Sequence, residues 1–135
     1  MTDALRADHV LLVEDDARFA SLVEQHLHGH GYLVTRAGSL AEALAVLGAG
    51  AADGRSPDVV LLDINLPDDA GWGLLADPVF TIAGAPPVVV ITATSVSPRR
   101  LRVPGIAGCL TKPFAMETLR STIDRVMHPE GSSST

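Results

Sequence analysis

Short apolar runs alternate with helix-like patterns along the whole chain. The clearest run covers residues 59–62, where four apolar residues lead directly into Asp63 and then into Pro67. A continuous apolar run bounded by turn residues is typical of a strand buried on both faces of a parallel sheet. The same reasoning predicts five strands in all, at residues 10–13, 32–35, 58–62, 87–91 and 107–111.

Helical patterns fill the intervals between these strands. Apolar residues at helical spacing predict a first helix over 17–28 and a closing helix over 116–127. Ser39 and Glu42 have the spacing of a capping box, which predicts a helix over 40–47 followed by a glycine-rich loop over 48–57. Residues 68–84 have room for one helix that Pro78 would break or displace. The segment 93–104 has room for only a short helix between Pro98 and Pro104.

Alternating strands and helices predict a doubly wound α/β domain with a five-stranded parallel sheet. We expect the flavodoxin-like strand order 2-1-3-4-5, in which ligands bind at the carboxyl ends of the strands. We expect a flexible leader at residues 1–8, one domain at 9–128 and a disordered tail at 129–135. The segment between the fourth and fifth strands is expected to hold a reduced or irregular helix.

Composition narrows the possible functions. A net charge of −6 argues against direct nucleic-acid binding, which requires a basic surface. The only cysteine, Cys109, cannot form an internal disulfide, which favours a cytoplasmic location. No apolar run approaches the roughly 20 residues of a membrane span, so no membrane association is expected.

Polar residues that could do chemistry occur at the ends of predicted strands. Glu14, Asp15 and Asp63 are carboxylates, Thr92 supplies a hydroxyl, and Lys112 is the only lysine among ten basic side chains. Clustered carboxylates repel one another unless a cation relieves them, and Mg²⁺ prefers such oxygen ligands. With a hydroxyl and an ammonium added, the set suits a phosphoryl group, and Asp63 would be the nucleophile.

Each of these residues also has an ordinary structural explanation. Asp15 or Asp16 could cap the following helix, Thr92 could be a typical strand residue, and Lys112 could lie on the surface. The functional interpretation therefore depends on their joint occurrence at strand ends in one layer of the sheet.

The chain closely resembles the receiver domain of two-component response regulators. The resemblance is carried by Val-Leu-Leu-Val-Glu-Asp-Asp at 10–16, Leu-Leu-Asp-Ile-Asn-Leu-Pro at 61–67 with Gly71, Val-Ile-Thr-Ala at 90–93 and Leu-Thr-Lys-Pro-Phe at 110–114. It implies that Asp63 accepts a phosphoryl group from a sensor histidine kinase or a phosphotransfer protein. It also implies that Thr92 hydrogen-bonds the phosphoryl group, that Lys112 ion-pairs with it, and that the Lys112–Pro113 peptide bond is cis.

The resemblance further implies a bound Mg²⁺ ion. Its ligands would be Asp15, Asp63 and the backbone carbonyl of Asn65, with Glu14 acting through water. The family's switch aromatic corresponds to Cys109 here. Because a thiol buries far less area than an aromatic ring, we hypothesise that the structural response to phosphorylation is muted or rerouted.

As a receiver, the protein would not be an enzyme beyond assisting its own phosphorylation and dephosphorylation. Its output would pass by protein–protein contact to an unknown downstream protein, and we expect a monomer or weak homodimer. The sequence leaves open whether the chain stands alone or was excised from a longer protein.

Two other functions remain open at this stage. One is a pseudo-receiver scaffold that works without phosphate. The other is a phosphohydrolase resembling the haloacid dehalogenases, which need a second aspartate two positions after the nucleophile, where this chain has Asn65. A metal site among His26, His28 and His30 is not expected, because helical residues two apart do not face each other.

Overall fold

The computed structural model describes residues 8–66, 70–93, 99–102 and 105–128. The predicted tail at 129–135, nearly all of the predicted leader, and Pro67, Pro98 and Pro104 lie outside these residues. The strands are β1 His9–Val13, β2 Leu33–Ala37, β3 Val59–Asp63, β4 Val88–Thr92 and β5 Ile106–Thr111. The helices are α1 Ala17–Gly29, α2 Leu40–Asp53, α3 Ala70–Ala76, α4 Pro78–Ile82 and α5 Met116–Met127.

The five strands form one parallel sheet in the order β2-β1-β3-β4-β5. The predicted fold class and strand order are therefore confirmed. β1, β3 and β4 occupy the centre of the sheet, and every residue of β3 and β4 is buried. Because all five strands run the same way, their carboxyl ends meet at a single edge.

Side chains alternate between two apolar layers, as the pleat of a strand requires. Val10 and Leu12 pack under α1 and α5, whereas Leu11 and Val13 pack under α2, α3 and α4. β3 and β4 alternate in the same way, so both faces of the sheet are covered. Truncating one such fully buried leucine to alanine typically costs about 2–5 kcal/mol, which indicates how firmly the central strands are held.

The predicted loop at 48–57 is wrong over residues 48–53, because α2 continues to Asp53, and it is confirmed over residues 54–57. Gly50 is buried there, and a Cβ atom at this position would lie 2.9 Å from the backbone oxygen of Arg55. The glycine therefore lets the chain fold back closely after the helix. Gly54 ends the helix in the left-handed conformation, with φ +71°. The glycine content wrongly indicated a loop, because Gly50 allows close packing within the helix and Gly54 caps its end.

The segment 68–84 was predicted to hold one helix that Pro78 would break or displace. Two short helices are present instead of one, and the break between them is at Pro78, as predicted. Pro78 lies in the first turn of α4, and the Asp77 side chain accepts a hydrogen bond of 2.9 Å from the Val79 amide. A proline suits the start of a helix because its missing N–H would be unpaired there. Pro78 therefore ends α3 and begins α4.

The remaining differences are small. The predicted strand ends differ from the observed ones by one or two residues. Between β4 and β5, the described residues include a 3₁₀ turn at Arg100–Arg102, where a reduced helix was expected. In the part of the chain that the structure describes, every helix is too short or too polar to span a membrane.

Candidate functional site

Three carboxylates converge where β1 and β3 end. Val13 pairs with Leu62 in the sheet, so Glu14 and Asp63 follow on adjacent strands. The side chains of Glu14 and Asp63 are only 1% and 4% exposed, whereas Asp15 is exposed. One carboxylate oxygen from each of the three residues lies within 4.8 Å of the others. Together with Asn65, Thr92 and Lys112 described below, they form a site that we call the acidic pocket.

The turn after β1 separates the roles of two neighbouring aspartates. Asp16 caps α1, because its Oδ1 accepts hydrogen bonds from the amides of Arg18 at 3.0 Å and Phe19 at 3.2 Å. Asp15 is left beside the pocket. Arg36, on the edge strand β2, donates to the backbone oxygen of Glu14 at 3.0 and 3.2 Å and thereby holds this turn in place.

Glu14 is the most perturbed acid of the pocket. Burial is the largest cause, followed by a hydrogen bond with the side chain of Asp63, and together they raise the pKa of Glu14 to about 7. A hydrogen bond from the Asp16 amide at 3.1 Å and the charge of Lys112 oppose the increase. The pocket therefore holds more negative charge than its surroundings stabilise, which favours a proton or a cation there.

Lys112 brings positive charge into the pocket from the end of β5. Its Nζ lies 3.3 Å from Glu14 Oε1 and 3.5 Å from Asp63 Oδ2. The ammonium also lies over the ring of Phe19, 4.3 Å from its centroid, and Phe114 meets that ring edge-on at 5.8 Å. The Lys112–Pro113 peptide bond is cis, as expected. The lone lysine thus contacts both buried carboxylates and an aromatic ring.

Asn65 links the loops that follow β3 and β4. Its backbone N–H donates a hydrogen bond to Asp63 Oδ1 at 2.8 Å. Its side-chain oxygen accepts hydrogen bonds from the Ala93 amide at 2.7 Å and from Thr92 Oγ1 at 3.3 Å. Thr92 is buried, and its backbone oxygen accepts from the Lys112 amide at 2.7 Å. These bonds fix Thr92 at the same edge of the sheet as Asp63.

Gly71 allows α3 to approach this loop. A Cβ atom at Gly71 would lie 2.8 Å from the Cα of Ile64 and 3.0 Å from the backbone oxygen of Asp63. Real Cβ atoms do not come so close to backbone atoms, so a side chain here would displace the carboxyl end of β3. Gly71 is therefore a structural requirement of the site.

The pocket's donor set fits a hard divalent cation. All three candidate side-chain ligands offer oxygen, which Mg²⁺ prefers to nitrogen or sulfur. Burial and the neighbouring Asp63 raise the pKa of Glu14 even with Lys112 beside it, and a cation bound here would offset both effects. The observed geometry is thus compatible with Mg²⁺.

Cys109 lies apart from these groups. It is half-buried on β5 and packs against the apolar layer under α2, α3 and α4. Burial raises the pKa of its thiol, which opposes formation of the reactive thiolate.

The sequence-based predictions missed three contributions to the pocket. Neither Phe19 nor Arg36 was predicted to be a site residue, and the side chain of Asn65 was not expected to link the Asp63 and Thr92 loops. The available signals were Arg36, near the end of an edge strand, and the side-chain amide of Asn65, two residues after Asp63. Neither signal shows which residue the side chain contacts unless the order of the strands is known.

Comparisons with known proteins agree with one another. A family model described as the response regulator receiver domain matches residues 10–124. The Bacillus subtilis protein named "uncharacterized transcriptional regulatory protein YvcP" is 36% identical over 119 residues, covering 87% of this chain and 48% of that protein. The sensor histidine kinase RcsC of Salmonella typhimurium is 29% identical, over 84% of this chain and 12% of the kinase.

Solved structures give the same result. The chemotaxis protein CheY4 of Vibrio cholerae is 30% identical, with a TM-score of 0.74 over 90% of this chain and 99% of that one. A CheY-like receiver domain from Methanospirillum hungatei, 22% identical, shares the fold with a TM-score of 0.79 over 95% of this chain and 99% of that one. The chain spans about half the length or less of the first curated relatives that it matches.

Proposed function

Because this chain belongs to the receiver-domain family of response regulators, we propose that Asp63 accepts a phosphoryl group from a histidine kinase or a phosphotransfer histidine. One observation carries the assignment. Lys112 Nζ lies between Asp63 and Glu14, within 3.5 Å of a carboxylate oxygen of each, in a cluster of three carboxylates. Glu14 shares this burial and this contact with the ammonium, but Asp63 also accepts a hydrogen bond from Asn65, whose side chain contacts the Thr92 hydroxyl. Asp63 is therefore the carboxylate that has both the ammonium and the hydroxyl beside it.

The residues around Asp63 divide the remaining work. An oxygen of Asp63 attacks the phosphorus atom, and the bond from phosphorus to the donor nitrogen breaks. Lys112 then neutralises an oxygen of the transferred group, and the Thr92 hydroxyl donates a hydrogen bond to another. Phosphoryl transfer relies mainly on such positioning and charge stabilisation. Asn65 holds the Asp63 and Thr92 loops at the required separation.

Mg²⁺ is the proposed cofactor. Asp15, Asp63 and the backbone carbonyl of Asn65 would hold it directly, and Glu14 would act through water. When bound, the ion supplies positive charge that offsets both the carboxylates and the incoming phosphoryl oxygens.

The biological setting follows from the same assignment. The protein would act as a signalling domain and not as a turnover enzyme, in the cytoplasm, with output through contact with another protein. Its partners would be a sensor histidine kinase or phosphotransfer protein and a downstream effector. We propose that the part of the chain described by the structure contacts neither nucleic acid nor membrane directly. In solution the protein would be a monomer or a weak homodimer.

The direct test is incubation with acetyl phosphate and Mg²⁺, followed by intact-mass measurement. We expect one added phosphate on the unchanged protein and none on Asp63→Asn, whose amide oxygen can still accept the Asn65 N–H. Asp53→Asn, at the end of α2, makes the same chemical change elsewhere and should still be phosphorylated. Phosphate addition to a folded Asp63→Asn variant would place the acceptor on another residue.

A pseudo-receiver would fold but gain no phosphate in this reaction. A second assay, with a stable phosphate monoester in place of acetyl phosphate, separates the phosphohydrolase. An enzyme of that kind would hydrolyse many equivalents of the ester, whereas the receiver would leave it intact.

A further inference from the structure

A second cluster of polar side chains lies outside the acidic pocket. His26, in the last turn of α1, and His30, just beyond that helix, have ring centroids 4.8 Å apart. No metal site was expected here, because histidines two residues apart on a helix do not face each other. That geometry excludes only the pairs that include His28. His26 and His30 are four residues apart, and that spacing places side chains on the same face of a helix.

Glu117 completes this cluster from the first turn of α5. Its Oε2 lies 3.4 Å from His26 Nε2 and 3.7 Å from His30 Nε2. The possible ligand atoms of the three residues all lie within 4.8 Å of one another. We call this group the His–Glu cluster. It joins two helices that pack side by side on one face of the sheet.

The ring nitrogen of His26 gives the cluster a second, independent signal. Its Nε2 is buried, and no described residue forms a hydrogen bond with it, because the Glu117 contact lacks hydrogen-bond geometry. A buried polar atom without a partner typically costs about 1–3 kcal/mol. The atom faces Glu117 Oε2 at 3.4 Å without a hydrogen bond to it, and a cation held between the two would pair with both.

The opposite side of Glu117 is already fixed. Arg120 donates to Glu117 Oε1 at 2.6 and 3.1 Å and also pairs with Asp124, which accepts a hydrogen bond from the Tyr32 hydroxyl. Arg120 also holds the pKa of the Glu117 carboxyl below its usual range, so the carboxylate stays ionised. This network leaves Oε2 directed at the two histidines. Partners of this kind orient the ligands in metal sites.

We propose that His26, His30 and Glu117 bind a transition-metal ion of the Zn²⁺ class and thereby link α1 to α5. Two imidazoles and one carboxylate are a common zinc ligand set, with a fourth position left for water. Zinc–ligand bonds of about 2.0–2.2 Å in a tetrahedron place ligand atoms roughly 3.3–3.6 Å apart. The two observed nitrogen–oxygen distances are close to this range.

The ligand chemistry distinguishes this site from the acidic pocket. Imidazole nitrogen suits Zn²⁺, Cu²⁺ and Ni²⁺, whereas an all-oxygen set suits Mg²⁺. The two sites share no residue, so the proposal does not depend on the function assigned to Asp63. Excess Mg²⁺ would occupy the acidic pocket and leave the His–Glu cluster available to Zn²⁺.

The test is calorimetric titration of the tag-free full chain with Zn²⁺ in excess Mg²⁺. We expect one Zn²⁺ per chain. His30→Gln and Glu117→Gln should each weaken the Zn²⁺ affinity at least roughly 10-fold, because even the loss of a residue that only orients a metal ligand lowers metal affinity by about 10–100-fold. His28→Gln is the matched control, because His28 lies on the same helix but outside the cluster; it should bind Zn²⁺ normally.

A second measurement keeps the result independent of folding defects. Imidazole NMR signals of His26 and His30 should shift on adding Zn²⁺ to the unchanged protein, while those of His9 and His128 stay in place. Unchanged affinity in both cluster variants, or an equal loss in His28→Gln, would overturn the proposal. The proposal would also be overturned if the NMR signals of His26 and His30 shift with falling pH but do not shift on addition of Zn²⁺.

Discussion

The two sides of the acidic pocket are built very differently. Its carboxylate side, Glu14 and Asp63, follows the central strands β1 and β3, and these side chains are 1% and 4% exposed. On its cation side, Lys112 follows the edge strand β5, of which only Leu110 is buried, and the lysine side chain is 27% exposed. The negative charges are thus fixed in the core, and the positive charge reaches in from the margin.

This difference has a physical consequence. Buried carboxylates cannot be screened by water, so their charge must be offset by a nearby cation or proton. A lysine on a flexible four-carbon stem can follow the charge when a phosphoryl group arrives. The rigid side therefore defines where chemistry occurs, and the edge side adapts to the charge present. Four measurements test whether the two sides differ in this way.

Removal of the cation should have the largest effect. We expect Lys112→Ala to slow phosphorylation of Asp63 by acetyl phosphate by about 10²–10³-fold, the usual effect of deleting one charge-stabilising group. Time-resolved intact mass gives the rate. Arg99→Ala removes one exposed positive charge outside the pocket and should leave the rate unchanged. Equal rates in both variants would show that Lys112 does not stabilise the transferred group.

A side chain at Gly71 should disturb the rigid side. We expect Gly71→Ala to lower the free energy of unfolding by about 1–3 kcal/mol, because the new Cβ would overlap backbone atoms of Asp63 and Ile64. Gly73→Ala in the same helix is the control, since its Cβ would meet only Leu40 at 3.5 Å. That variant should be neutral or up to about 1 kcal/mol more stable. Denaturant unfolding measures both, and equal destabilisation would argue against the close approach at Gly71.

The buried acid should make stability depend on pH. With the folded pKa of Glu14 raised from 4.5 to about 7, the native state binds the additional proton between these values. The free energy of unfolding should therefore fall as pH rises through this window, and level off above it. Glu14→Gln should flatten the decline. Unfolding in a chelating buffer tests this, and an unchanged slope would assign the titration to another group.

The smallest expected effect is a change in amide hydrogen exchange in β5 and the segment that precedes it. The resemblance aligns Cys109 with the family's switch aromatic, and on that alignment we expect phosphorylation to change amide exchange over residues 93–112 only slightly. Hydrogen exchange before and after acetyl phosphate treatment measures this. A large change confined to that segment would contradict the muted response and show that the edge side switches without an aromatic ring.

The sequence alone determined the elements and their class, because strand burial, helix spacing and proline positions are local signals. It also placed Glu14, Asp63, Thr92 and Lys112 at strand ends. The continuation of α2 past Gly50 and the second short helix that begins at Pro78 were missed, because the role of a glycine or proline depends on what packs against it.

Only the tertiary structure decided which groups meet. It assigned helix capping to Asp16 and left Asp15 at the pocket, and it placed Phe19 under the ammonium. It also brought Glu117 to His26, across 91 positions of sequence. Periodicity specifies which face a side chain occupies, but contacts between distant residues depend on strand order and helix packing, which no local pattern encodes.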